Sequence, residues 1–260
     1  MNPRENSLKH ILDAGDPAFG VLDNTYTPAA VELLGEFGFD FVWIDLEHAG
    51  PSPMDGERLD GLLRAAELTD TELLVRVPAG DPAMVRKVLD AGARNVFLSR
   101  ADTAADVREA VEAAYFEVDG EPGNRGLAGP RAARYGRAEN YPATEDEEVV
   151  VGVTLETAAA VENIDDILSV PQLGFVFAGP NDLSVSLGHP GERDHPDVRA
   201  AVETIRDSAL DHGVPVGNLT AGMDDVIEKV DDGYQVLNVG STLGALTGQF
   251  GDWHDRYENQ

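Results

Sequence analysis

The chain of 260 residues predicts a single domain folded as a (β/α)8 barrel. Three observations predict it. Eight short apolar runs rich in β-branched and aromatic residues recur, eight segments with helical spacing of apolar residues lie between them, and barrels of this kind form one unit at this length. The strands are expected at 18–22, 40–45, 72–77, 95–99, 149–155, 174–178, 214–218 and 235–239. The helices are expected at 28–37, 55–68, 82–91, 104–115, 158–168, 196–212, 224–231 and 241–257. Continuous apolar runs suit parallel strands buried on both faces. In such barrels the chemistry sits where the strands end.

The second run, Phe39-Asp-Phe-Val-Trp-Ile-Asp-Leu-Glu-His48, ends in Asp45, Glu47 and His48. A lone His is most often a satisfied core residue. Here two carboxylates stand within three residues of it, close enough to hold an imidazole tautomer and tune its basicity, as a general base requires. In the third run Arg76 interrupts Leu-Leu-Val-Arg-Val-Pro. A buried guanidinium needs an anionic partner, and two stay open: a carboxylate such as Asp45 or Glu47, or a substrate oxygen that gains charge during reaction.

Between the fourth and fifth runs, 119–148 is rich in Gly, Pro and Arg without helical period, and is expected to be a long loop. It carries Arg125, Arg131, Arg134 and Arg137, so in this acidic chain it reads as a lid that draws in an anionic substrate. The fifth and sixth runs end at Glu156 and Asp182. Neighbouring parallel strands are only about 4.8 Å apart, so two such carboxylates can grip one cation. Two carboxylates with open positions suit Mg2+ or Mn2+ with several waters. The alternative is local, since Asn181 or Asp182 can cap a helix and Glu156 can start one. The other histidines, at 10, 189, 195, 212 and 254, lie near the termini, beside a Gly/Pro turn or at a helix end, and are assigned no role.

Composition narrows the classes. With 48 Asp plus Glu against 19 Lys plus Arg, the net charge of −29 opposes nucleic acid and anionic membranes. The acid is spread along the chain and Lys occurs only at 9, 87 and 229, which looks like the solvated surface of proteins from high-salt cytoplasm. The absence of Cys excludes disulfides and thiolate metal sites. No leader or membrane-spanning run is seen, so a soluble cytoplasmic protein is expected. The three lysines fall away from strand ends, which disfavours Schiff-base chemistry and leaves metal-assisted chemistry.

Taken in order, Gly38-Phe-Asp40 to Ile44-Asp-Leu-Glu-His48, Arg76-Val-Pro with Asp81-Pro82, and Lys87-Val-Leu-Asp90-Ala-Gly92 carry a resemblance. Gly123-Asn-Arg125-Gly126, Leu155-Glu156-Thr157 with Ala160-Val-Glu-Asn163-Ile, and Val176-Phe-Ala-Gly179-Pro180-Asn181-Asp182-Leu-Ser184 complete it. Over nearly its whole length the chain resembles the HpcH/HpaI aldolases, class II pyruvate aldolases of the phosphoenolpyruvate/pyruvate TIM-barrel superfamily. The resemblance implies reversible cleavage of a 2-keto-3-deoxy, or 4-hydroxy-2-oxo, acid to pyruvate and an aldehyde. It implies one divalent metal ion (Mg2+, Mn2+ or Co2+) held by Glu156 and Asp182, and no organic cofactor. It further implies Arg76 on the enolate oxygen, His48 as proton carrier oriented by Asp45, and Asp90 supporting that histidine across a subunit boundary. Gly179, Pro180 and Asn181 would receive the substrate carboxylate, with Arg125 in the lid also binding substrate. Relatives are commonly hexamers, and the apolar stretch 243–250 can pack between subunits. Thr154 and Leu22 stand where some relatives have Gln and Trp, which bears on aldehyde specificity. The rivals are another enolate-forming lyase, acting on an acyl-CoA or carboxylic acid, and a non-catalytic barrel that grips phosphate or sugar acid at Gly217-Asn-Leu-Thr and Val239-Gly-Ser-Thr.

Overall fold

The computed structural model describes residues 5–52, 54–78 and 81–259. Eight parallel strands close a barrel: β1 (Ala18–Leu22), β2 (Phe41–Asp45), β3 (Glu72–Val77), β4 (Asn95–Leu98), β5 (Val150–Leu155), β6 (Leu173–Ala178), β7 (Val216–Leu219) and β8 (Val236–Ser241). Each strand pairs with the next in sequence, and β8 returns to β1. The predicted fold class is therefore the observed one, with strand limits shifted by a residue or two.

The helices are α1 (Ser7–Asp13), α2 (Pro28–Glu36), α3 (Gly56–Ala66), α4 (Pro82–Ala91), α5 (Ala104–Ala114), α6 (Tyr141–Glu148), α7 (Ala158–Glu162), α8 (Ile164–Leu168), α9 (Pro180–Ser186), α10 (Pro196–His212), α11 (Met223–Asp231) and α12 (Thr242–Glu258). Their starts follow local chemistry. Thr27, Asp55, Asp81 and Thr103 accept first-turn N–H groups, and Thr103 with Asp106 forms a reciprocal capping box.

Two apolar layers result. The outer one joins strand faces such as Val42, Ile44, Val75 and Val153 to helix stripes such as Leu59, Leu62, Val85 and Ile205. Inside the barrel, Phe41, Trp43, Phe97, Phe175 and Phe177 pack together, with Leu8 and Leu12 of α1 closing the end where the strands begin. Trp43 meets Phe97 and Phe177 edge to face at 5.1 and 5.4 Å between centroids. Glycine makes room for these rings: a Cβ on Gly20 would run into the Phe41 ring, and one on Gly152 into Phe175.

One helix inside the predicted loop escapes the periodicity reading, while the last helix is found where expected. Residues 119–148 end in α6, which buries only Tyr141 and Glu145 and so has no apolar stripe to announce it. The same segment leaves α5 and enters β5, so it connects ends on the face where strands begin. It is not a lid over the strand ends of its own chain. Arg131 binds it to the outer helices through Asp60 and Glu67, at 2.6 and 2.7 Å. The last helix, α12, buries none of its residues.

Candidate active site

Residue 45 of β2 lies opposite residue 76 of β3 in the sheet register. Arg76 donates from Nε to Asp45 Oδ1 at 3.0 Å and from Nη2 to Oδ2 at 2.6 Å, a two-point ion pair. The third nitrogen, Nη1, stands 3.3 Å from Glu47 Oε2, and the guanidinium lies over the Trp43 ring at 5.1 Å. Burial by itself would raise the Asp45 carboxyl, but the bond and charge of Arg76 and the backbone N–H groups of Glu47 and His48 hold it below its usual range. Burial likewise works against the charge on Arg76, and the Asp45 bond with the charges of Asp45, Glu47 and Glu156 outweighs it.

The Asp45 carboxylate also shapes the turn behind it. Its Oδ1 accepts the N–H of Glu47 at 3.0 Å and of His48 at 3.4 Å. The His48 ring is 63 % exposed and reaches toward the barrel mouth with Nε2 3.5 Å from Glu47 Oε2. The expected contact of Asp45 with the imidazole is thus replaced: Asp45 fixes the backbone of His48, and Glu47 faces the ring. Glu47 is the residue that local reading underweighted. It stands between Arg76 and His48 at ion-pair distance, and its Oε2 lacks a hydrogen-bond partner among the described residues.

Across the mouth, Glu156 follows β5 and Asp182 lies in the first turn of α9, which follows β6. Neither Asn181 nor Asp182 caps that helix; the cap position is Gly179, with Pro180 next and no side-chain bond. A Cβ on Gly179 would press on Glu156 Cβ and Oε2 at 2.7 and 2.9 Å, so only Gly lets the chain pass this close. Burial first, then the negative charges of Asp182 and Glu47, push the Glu156 carboxyl up to about 7, against weaker opposition from Arg76 and Arg100. Carboxylates that repel one another at a strand-end mouth are a fitting donor set for a hard divalent cation, which relieves the repulsion. Trp43 Nε1 and Thr154 Oγ1 are buried without partners among the described residues. Arg100, past the end of β4, is exposed and held in the left-handed region at φ 54°, a strained position that sequence reading gave no sign of.

Two expected site residues lie elsewhere. Arg125 is not a substrate ligand on the strand-end face. Its side chain is 1 % exposed and pairs with Glu145 at 3.0 Å, donates to the Tyr141 hydroxyl at 3.0 Å and the Ala114 carbonyl at 3.3 Å, and stacks on Phe116 at 4.9 Å. These partners sit where α5 ends and α6 runs, so Arg125 anchors the 119–148 segment. Asp90 lies in the last turn of α4, at the far end from His48, with its carboxyl raised by burial against the charges of Arg125, Lys87 and Arg86.

The family description HpcH/HpaI aldolase/citrate lyase matches residues 20–247. A hydroxypyruvate/pyruvate aldolase of Paraburkholderia phytofirmans is 34% identical over 241 residues, covering 91% of this chain and 92% of that protein. A 5-keto-4-deoxy-D-glucarate aldolase of Shigella boydii is 31% identical over 242 residues, with 93% and 92% covered. Among solved structures, an HpcH/HpaI aldolase/citrate lyase family protein of Burkholderia cenocepacia superposes with a TM-score of 0.91 at 33% identity, over 97% of this chain and 99% of that one. The chain belongs to the HpcH/HpaI aldolase/citrate lyase family and, like these relatives, is a carbon–carbon lyase.

Proposed function

We propose that the protein cleaves a 4-hydroxy-2-oxo acid of the 2-keto-3-deoxy type to pyruvate and an aldehyde, and catalyses the reverse addition. The observation that carries this reading is the grouping of Glu156 and Asp182 with the Asp45–Arg76 pair and the exposed His48 at one barrel mouth. Glu156 and Asp182 would hold one divalent cation, Mg2+, Mn2+ or Co2+, and metal dependence is typical of the family. Such a cation supplies Lewis-acid polarisation of the 2-oxo acid.

The remaining work falls to side chains. Arg76 keeps N–H groups beyond those given to Asp45, and these donate to the oxygen that gains charge as the C–C bond breaks. His48 takes the proton from the 4-hydroxyl; its exposure lets that proton pass to solvent. Asp45 and Glu47 are positioning groups, one for the His48 backbone and Arg76, the other for the imidazole. The first-turn N–H groups of Asn181 and Asp182, exposed beyond Gly179 and Pro180, suit a substrate carboxylate.

Lysine placement supports the absence of a Schiff base. Lys9 on α1 pairs with Asp13 at 2.7 Å, Lys229 on α11 pairs with Asp225 at 2.5 Å, and Lys87 lies on α4, all off the strand ends. The test is chelation. EDTA should abolish pyruvate release from 2-keto-3-deoxy acids and added Mg2+, Mn2+ or Co2+ should restore it, whereas activity indifferent to chelator overturns the reading.

We further propose a homo-oligomer, with a hexamer as the family precedent. The exposed Leu243, Leu246, Phe250, Trp253 and Tyr257 of α12 support it. In an assembly of this kind Asp90 would reach the His48 of a neighbour, a role it cannot fill in its own chain. The acidic composition supports a cytoplasm of high ionic strength as the setting.

A further inference from the structure

Between α9 and α10, at the outer rim of the barrel mouth, two histidines stack face to face. The rings of His189 and His195 lie 3.4 Å apart between centroids at 16°. Asp197 Oδ2 stands 3.1 Å from His189 Nε2 and 3.7 Å from His195 Nδ1. Each imidazole, when neutral, offers one ring-nitrogen lone pair.

The cluster is held by its backbone. Ser184, fully buried, accepts the Gly191 N–H at its hydroxyl (3.0 Å) and the His189 N–H at its carbonyl (2.7 Å). The His195 N–H donates to the Glu192 carbonyl at 3.0 Å, closing the turn that brings the second ring under the first. His195 Nδ1 also receives the Asp197 N–H at 3.3 Å, a long contact that a stronger partner displaces at small cost.

We propose that His189, His195 and Asp197 form a second metal site, selective for Zn2+ and similar transition ions, independent of Glu156 and Asp182. The three ligand atoms lie within 4.8 Å of one another. Ligand atoms about 2.05 Å from a tetrahedral ion stand about 3.3 Å apart. Asp197 Oδ2 stands 3.1 and 3.7 Å from the two ring nitrogens, and because imidazole lone pairs lie in the ring plane, binding turns the rings out of their face-to-face stack onto the ion. Two imidazoles with one carboxylate favour Zn2+, Ni2+, Cu2+ or Co2+ over Mg2+, which prefers oxygen. The side chains are 26, 29 and 66 % exposed, so the ion enters from solvent and water completes its shell. Bound there, it ties the segment after α9, the helix that carries Asp182, to the first turn of α10.

The experiment titrates metal-free protein with Zn2+ by calorimetry in millimolar Mg2+, and with Co2+ by visible absorption. The expected result is one Zn2+ per chain that Mg2+ does not displace, with Co2+ bands of imidazole coordination. In His189→Ala and in His195→Asn, which keeps a helix-capping acceptor, Zn2+ binding should weaken by more than about tenfold, a loss that even an outer-shell partner can produce. Pyruvate release in Mg2+ should persist in both variants. Unchanged Zn2+ affinity in both, or loss of that Zn2+ in Glu156→Gln instead, overturns the second site. Failure of the aldolase reading shows separately, as absent pyruvate release in wild-type protein.

Discussion

Asp45 and Arg76 close a two-point ion pair of 3.0 and 2.6 Å across adjacent strands, and this one contact sets the geometry of the mouth from both sides. Through Oδ1 the carboxylate carries the turn that presents His48, and through both oxygens it aims the guanidinium. Asp45→Ala leaves a buried cation without its main partner. A loss of about 3–5 kcal/mol is expected from breaking such a pair, read by urea unfolding. Arg76→Lys keeps the charge without the fork, and kcat should fall by about 10²–10³ with the fold retained, as when one charge-stabilising donor is lost.

His48 is exposed, so its removal should cost activity and little stability. His48→Ala is expected to lower turnover by about 10²–10⁴, with the unfolding midpoint unchanged and added imidazole restoring part of the rate. An unchanged rate would make the residue a spectator.

The Glu156 carboxyl, raised to about 7 from 4.5, gives a signed pH prediction. Because its folded-state value is above its unfolded one, the folded cation-free protein holds the extra proton, and stability falls as pH rises from 4.5 toward about 7. A cation binds the deprotonated form, so affinity for Mn2+ should rise through the same interval with release of a proton. Glu156→Gln should raise the unfolding temperature of cation-free protein at pH 8 and abolish the further rise that Mn2+ brings to wild type. The opposite order of Tm values contradicts this account.

The structural place of Arg125 is checked by Arg125→Met. Removing one member of a buried ion pair costs about 3–5 kcal/mol, so Tm should fall clearly. KM for the 2-oxo acid in the folded enzyme should stay within about a factor of 2, well below the tenfold change that 1.4 kcal/mol of lost binding would give. A rise in KM without loss of stability would return Arg125 to the substrate.

Self-association through α12 is checked by light scattering. Leu246→Glu with Phe250→Glu should convert an oligomer to monomers, because both apolar side chains are about half exposed in the single chain. Identical masses for wild type and variant would place the subunit contact elsewhere.

What the sequence discloses follows from how each element is buried. The barrel strands are enclosed on both faces, so they read as unbroken apolar runs, and the ionisable residues at or just past their ends, Asp45, Arg76 and Glu156, stand out from sequence. Helix α6 is silent because only Tyr141 and Glu145 turn inward, and one of those is charged. The arginines of 119–148 read as an anion trap because their partners are remote: Glu145 is 20 residues from Arg125, and Glu67 is 64 from Arg131. The order of elements carries the signal that spacing lacks, since a segment that leaves a helix and enters a strand spans the end opposite the chemistry. The contact of Asp45 with the His48 backbone was out of reach, because spacing fixes proximity and leaves the choice of donor open.

The aromatic plug of Trp43, Phe97, Phe175 and Phe177, admitted by Gly20 and Gly152 and sealed below by α1, makes the barrel a vessel with one door. Traffic must therefore queue. The fragment seated against Glu156 and Arg76 cannot depart while the other blocks the opening, so the aldehyde is expected to leave first and pyruvate last, and in synthesis to enter in the reverse order. Product-inhibition kinetics in which both products compete equally with the intact acid would show that the door is wider than the fold suggests.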